Sequence, residues 1–150
     1  MLSMRYPGWI KMNTELVLPR KLVNQILTHA QQHELTESCG LISMSAGNPV
    51  HYYAVKNIAA DPSTHFEMEP KQQIAAMKHM REHGEDLLAI VHSHPQSPPA
   101  PSATDMQEAG YPEAYYIIVS LNTKGVLEMR GYKIDHAEMQ AVDLRYEHEN

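Results

Sequence analysis

Apolar positions change period several times along this chain, and each change marks an element. "TELVLP" (14–19) reads as a short strand. After it, Leu22, Val23, Ile26, Leu27 and Ala30 recur every three or four residues, the stripe of an amphipathic helix entered at Pro19. The apolar run "CGLIS" and the Val- and Tyr-rich "VHYYAVKNI" are two strands of a hairpin turned at "AGNP". From Asp61 to Glu69 the chain alternates His65, Glu67 and Glu69 against Phe66 and Met68, which predicts an extended, half-exposed segment. A helix then starts near Pro70 and stops at Gly84.

"DLLAIVHSH" is almost continuously apolar and of strand length, so it is expected in the middle of a sheet, buried on both faces. "ATDMQEAG" is a short helix, "AYYIIVSL" a second central strand, and "GVLEMRGYKI" its hairpin partner through "NTKG". The tail "DHAEMQAVDLRYEHEN" reads as a last short helix. This order predicts a single-domain α/β fold, with a mixed, partly antiparallel sheet flanked by helices. The domain is expected over 14–134, between an N-terminal arm (1–13) holding Tyr6 and Trp9 and a C-terminal tail or short helix (135–150).

Composition narrows the function. The 150 residues carry a formal net charge of -6 and no long Lys/Arg run, which excludes an electrostatic nucleic-acid surface. One cysteine, Cys39, permits no internal disulfide and no cysteine-rich zinc finger, and points to a reducing, cytoplasmic home. No segment has the apolar length of a signal-peptide core or a membrane span, so neither export nor membrane insertion is expected.

Candidate chemistry concentrates in "HSHPQSPPAPSATD". His92 and His94 are two apart on a strand, so both side chains leave one face, with α-carbons about 6.6 Å apart. Two imidazoles converge on one ion from there. Asp105 brings a carboxylate across the loop, and Ser102 is placed to cap the short helix that holds it. Two histidines and a carboxylate suit Zn²⁺ with a fourth position left for water. Prolines 95, 98, 99 and 101 lower the entropy lost on closing the loop.

Other histidines form weaker patterns. "HMREH" (79–83) has inverted-zincin form, but it sits in the last turn of a helix, where solvated cationic groups are favoured anyway. His29 and His33 repeat the spacing with no glutamate between them. Cys39 opens an apolar strand and reads as packing, not as a nucleophile.

The string His-x-His, seven residues, Ser-x-x-Asp resembles the JAMM motif of MPN-domain zinc metalloproteases. "ESCGLIS", "VKNIAADP" and "YPEAYYIIVSL" are similar to further segments of that family, so the resemblance covers roughly 14–134. It implies an MPN/JAMM, cytidine-deaminase-like fold, one zinc per chain held by His92, His94 and Asp105, and Glu37 as the catalytic carboxylate. Spacing alone does not choose Glu37 over Glu34, Glu67 or Glu69. In the family's mechanism zinc acidifies a water to a pKa of about 7, Glu37 moves its proton, and the Ser102 hydroxyl donates to the oxyanion.

Members that cleave ubiquitin chains carry two insertions, and here only "MQEAGY" separates Asp105 from Pro112. The resemblance is to compact prokaryotic stand-alone peptidases that cut after the Gly-Gly tail of ubiquitin-like sulfur-carrier proteins. Residues 61–69 are the expected partner strand for that tail, with Phe66 and Met68 as its substrate-binding residues. A peptidase on cell-wall or phage-tail-associated peptides and a non-catalytic MPN scaffold remain as alternatives, and the sequence leaves a homodimer open.

Overall fold

The computed structural model describes residues 15–147. The expected N-terminal arm, with Tyr6 and Trp9, lies outside the described residues. In chain order the elements are β1 (Glu15–Pro19), α1 (Arg20–Gln32), β2 (Cys39–Ser45), β3 (Asn48–Val55), α2 (Pro70–Glu82), β4 (Asp86–His94), α3 (Ala103–Glu108), β5 (Tyr115–Ser120), β6 (Glu128–Asp135) and β7 (Glu138–Glu147). The strands make one seven-stranded sheet in the order β1-β7-β6-β5-β4-β2-β3. Pairing is parallel for β1/β7 and β4/β5 and antiparallel elsewhere, which is the mixed α/β sheet expected.

Side-chain parity divides the core into two layers. Ile42, Val91, Ile117 and Val119 meet Leu22, Val23, Ile26 and Ala30 of α1 on one face. Leu41, Ile90, Ile118 and Ile134 meet Ala76 and Met80 of α2 on the other. β4 contributes to both layers, so from Leu87 its apolar run has no polar interval until His92. His92 and His94 share the parity of Ile90 and therefore project on the α2 face.

Local chemistry sets the element ends. Glu69 caps α2, its carboxylate accepting from the Gln72 N–H at 2.9 Å, with Pro70 in the first turn where no N–H is needed. Gly84 follows the helix in a left-handed conformation, at φ 70°.

The C-terminal segment departs from expectation. It is not a helix: β7 pairs antiparallel with β6 and parallel with β1, filling the gap between them. The reversal from β6 uses His136 and Ala137, at φ 50° and 66°, between the paired Asp135 and Glu138. A two-residue turn of this kind normally announces itself with Asn or Gly, and neither is present. Tertiary pairing of β6 decides the outcome over local preference.

Gly40 marks the tightest approach. A Cβ there would stand 2.5 Å from Cε1 of Tyr52 and 2.6 Å from the carbonyl oxygen of Tyr53. The Tyr52 ring has little room to retreat, because its hydroxyl is 2.7 Å from Nδ1 of His29 on α1. Gly40→Ala is expected to destabilise the fold by about 1–3 kcal/mol. A urea titration giving an unchanged midpoint would contradict this packing.

Candidate metal centre

Strand pairing brings distant residues to one point. Cys39 stands opposite His92, and the contact continues one residue further. The N–H and hydroxyl of Ser38 both donate to Oγ of Ser93, at 2.7 and 3.0 Å, and the Ser93 N–H donates to the Ser38 carbonyl at 2.9 Å. Ser93 lies between the two histidines in sequence but faces the opposite way, so it fastens the β2 entrance without occupying the site. The polar side chain in a buried strand was the available signal for this fastening, since such groups need partners.

On the site face, Nε2 of His92, Nε2 of His94 and Oδ2 of Asp105 form a triangle with edges of 3.2, 3.1 and 3.0 Å. These three are the group of metal-ligating type among the described residues. Nδ1–H of His94 donates to the Pro98 carbonyl at 2.8 Å, leaving the lone pair of the neutral ring on Nε2. Electron-rich atoms so placed repel one another unless a positive centre lies among them. Donors around a tetrahedral zinc with bonds of about 2.0–2.1 Å stand about 3.3 Å apart, so the donor set and its spacing both fit that ion.

The loop that returns Asp105 is fixed by its carbonyls. Oγ of Ser120 donates to Ser97 O at 2.5 Å, and the Tyr132 hydroxyl donates to Pro99 O at 2.6 Å, on either side of the Pro98 contact. Ser102 then caps α3: its Oγ accepts from the Asp105 N–H at 3.0 Å, and its own N–H donates to Asp105 Oδ2 at 2.9 Å. Since Oγ accepts in this cap, the hydroxyl proton is directed elsewhere.

Glu37 is 3% exposed, and its Oε1 has no hydrogen-bonding partner. Burial lifts its carboxyl to about 8; the charge on His94 opposes this and that on Asp105 adds to it. For Asp105, burial is outweighed by its close contacts with both histidine rings and by the Ser102 N–H, and its carboxyl is held far below the usual carboxylate range. Burial lowers His92, against the pull of Asp105. His94 is raised, because hydrogen bonds to Asp105 and Pro98 and the nearby charges overcome its burial.

Beside His92 runs a groove of about 470 Å³ walled by 59–61, 65–67 and Glu108. Phe66 lines it, with its ring stacked on His92 at 4.5 Å between centroids. Met68 does not line it. Its main chain bridges to Asn57, and its side chain, like that of Phe66, packs on the Leu41–Ile90 layer. The extended segment is also shorter than expected, because 61–64 form a turn.

Cys39 is fully buried, with Sγ donating to Val55 O, and burial followed by the Glu37 charge pushes its thiol to about 12. His79 and His83 stay apart from the triangle. Their Nδ1 atoms contact the Tyr53 hydroxyl and the His79 carbonyl, both at 2.8 Å.

Over residues 19–133 the chain matches the family described as prokaryotic homologs of the JAB domain. The desampylase of Haloferax volcanii is 31% identical over 114 residues, covering 72% of this chain and 82% of that protein. The CysO-cysteine peptidase of Mycobacterium tuberculosis is 30% identical over 121 residues, covering 79% and 82%. A solution structure of a protein from Desulfitobacterium hafniense superimposes with a TM-score of 0.78 at 31% identity, covering 89% of this chain and 93% of that one. Among the described residues no helix is long and apolar enough to cross a membrane.

Proposed function

This chain belongs to the prokaryotic JAB-domain family and is a hydrolase of JAMM type, and from that premise we propose a zinc-dependent peptidase that cuts after the Gly-Gly tail of a ubiquitin-like sulfur-carrier protein. One observation carries the reading: the triangle of His92, His94 and Asp105 lies within electrostatic reach of a buried glutamate whose Oε1 has no partner.

His92 Nε2, His94 Nε2 and Asp105 Oδ2 hold one zinc per chain. When bound, the ion supplies Lewis acidity, lowering the pKa of a water to about 7 and polarising the scissile carbonyl. Glu37 Oε1 takes the proton of the attacking water and delivers it to the leaving amine. The Ser102 hydroxyl, accepting in its helix cap, directs its proton to the carbonyl oxygen as negative charge develops there, a contribution on the order of 3 kcal/mol. Asp105 stays ionised throughout, since its Oδ2 accepts from the Ser102 N–H and faces the site of positive charge.

The named activities of the relatives, desampylase and CysO-cysteine peptidase, support a ubiquitin-like conjugate as substrate. A Gly-Gly tail suits the site physically, because it approaches extended and carries no side chains to clash with the histidines or with Phe66. The groove beside Phe66 receives the residues before it. The three metal donors come from one chain. The lone Cys39, buried and reduced, accords with a cytoplasmic enzyme.

The purified protein is expected to carry about one zinc per chain. Incubated with each small Gly-Gly-ending protein of its own organism, as a carboxyl-terminal adduct, it should release the adduct at the glycine, as read by mass. Full zinc loading without cleavage of any such adduct would overturn the substrate assignment.

A further inference from the structure

The Asn57 side chain stands where the groove wall meets the general base. Its Nδ2 donates to the Glu37 carbonyl at 3.0 Å and to the His65 carbonyl at 2.9 Å. Its Oδ1 accepts from the N–H groups of Ala59 and Glu67, both at 2.9 Å. A primary amide has two donors and two acceptor sites, so this one is fully used. Three of the four partners, residues 59, 65 and 67, are residues of the groove wall. The fourth is Glu37, whose own N–H donates to Pro62 O, in the same segment, at 2.7 Å.

Phe66, stacked on His92, and Met68, packed on the Leu41–Ile90 layer, pin the far end of that wall, but main-chain pairing adds little. Between 58 and 67 no strand is formed; the cross-links are Ile58 N–H to Glu67 O at 2.8 Å and the isolated bridge of Asn57 to Met68. The Asn57 amide is thus the hub of the side-chain hydrogen bonds that hold the segment. A shift of 59–67 on binding would reach the backbone of residue 37 through that amide and through the Pro62 carbonyl.

We infer that Asn57 is a positioning residue that makes the placement of Glu37 depend on groove occupancy. A peptide filling the groove then improves the proton-transfer geometry, and binding energy far from the scissile bond appears in kcat. Interactions realised only in the transition state behave in this way, whereas uniform binding would lower KM alone.

This inference rests on the peptidase reading. Its test uses the full-length zinc-loaded protein and two fluorogenic amides, one ending in Gly-Gly alone and one with four further residues before the glycines. For the wild type, kcat is expected to rise about tenfold from the short to the long substrate. Asn57→Asp keeps the oxygen that accepts from Ala59 and Glu67, but turns a second, anionic oxygen toward the Glu37 and His65 carbonyls.

In that variant kcat should become the same for both substrates, while KM still falls with length and zinc content stays at the wild-type value. Asn57→Ala should lose the kcat gain in the same way. A wild-type kcat indifferent to tail length overturns the inference, and this arm does not depend on any variant folding. An unchanged kcat gain in either folded variant overturns it too. A wild type that cleaves neither amide instead contradicts the peptidase reading itself.

Discussion

Glu37→Gln should lower kcat by roughly 10²–10⁴ while the protein keeps its full complement of zinc. The substitution is nearly isosteric, and the carboxylate makes none of the three contacts of the metal triangle, so the ligands should not move. What disappears is the ability to accept a proton at a buried oxygen that no other group in the fold occupies. The backbone of residue 37 keeps its bonds to Pro62 and Asn57, so the strand entrance stays in place. Metal content by mass spectrometry and single-turnover cleavage check the two halves of this expectation separately. Wild-type turnover would remove Glu37 from the reaction, and loss of zinc would recast it as a ligand.

Asp105→Asn should weaken zinc binding by more than the 10–100-fold typical of losing an outer partner. The amide oxygen still accepts from the Ser102 N–H, so the cap of α3 survives and apo-protein stability should change by less than about 1 kcal/mol. What is lost is the negative charge at the one atom that faces both histidines. Competition with a chromophoric chelator measures affinity, and thermal melts of apo and loaded protein separate it from folding. Because a ligand bound only to the native state stabilises by mass action, the zinc-dependent rise in Tm should shrink in step. Wild-type affinity in this variant would dissolve the proposed ligand set.

The two histidines were legible in the sequence because strand periodicity alone places them on one face, and their Nε2 atoms stand 3.2 Å apart. Asp105 was legible because Ser-x-x-Asp announces a helix start, which is where it lies. The identity of Glu37 was not, since it depends on β2 aligning with β4 across 55 residues, at Ser38 and Ser93. Strand register is a property of the assembled sheet. The same reason hid β7: its partners are β6 and β1, and the turn leading into it uses His136 and Ala137 where turn chemistry would call for Asn or Gly. Alternation at 66 and 68 put both side chains on one face, and both pack on the core, but it could not say that Phe66 would also line the groove.

The proline loop limits how a peptide can approach. Pro98, Pro99 and Pro101 have no N–H, the Ala100 N–H is committed to Pro98 O at 2.8 Å, and that of Ser102 to Asp105. From 98 to 102 this rim therefore offers an incoming chain no main-chain donor at all. A peptide gripped by main-chain donors must find them elsewhere, for which the wall at 59–67 is the candidate.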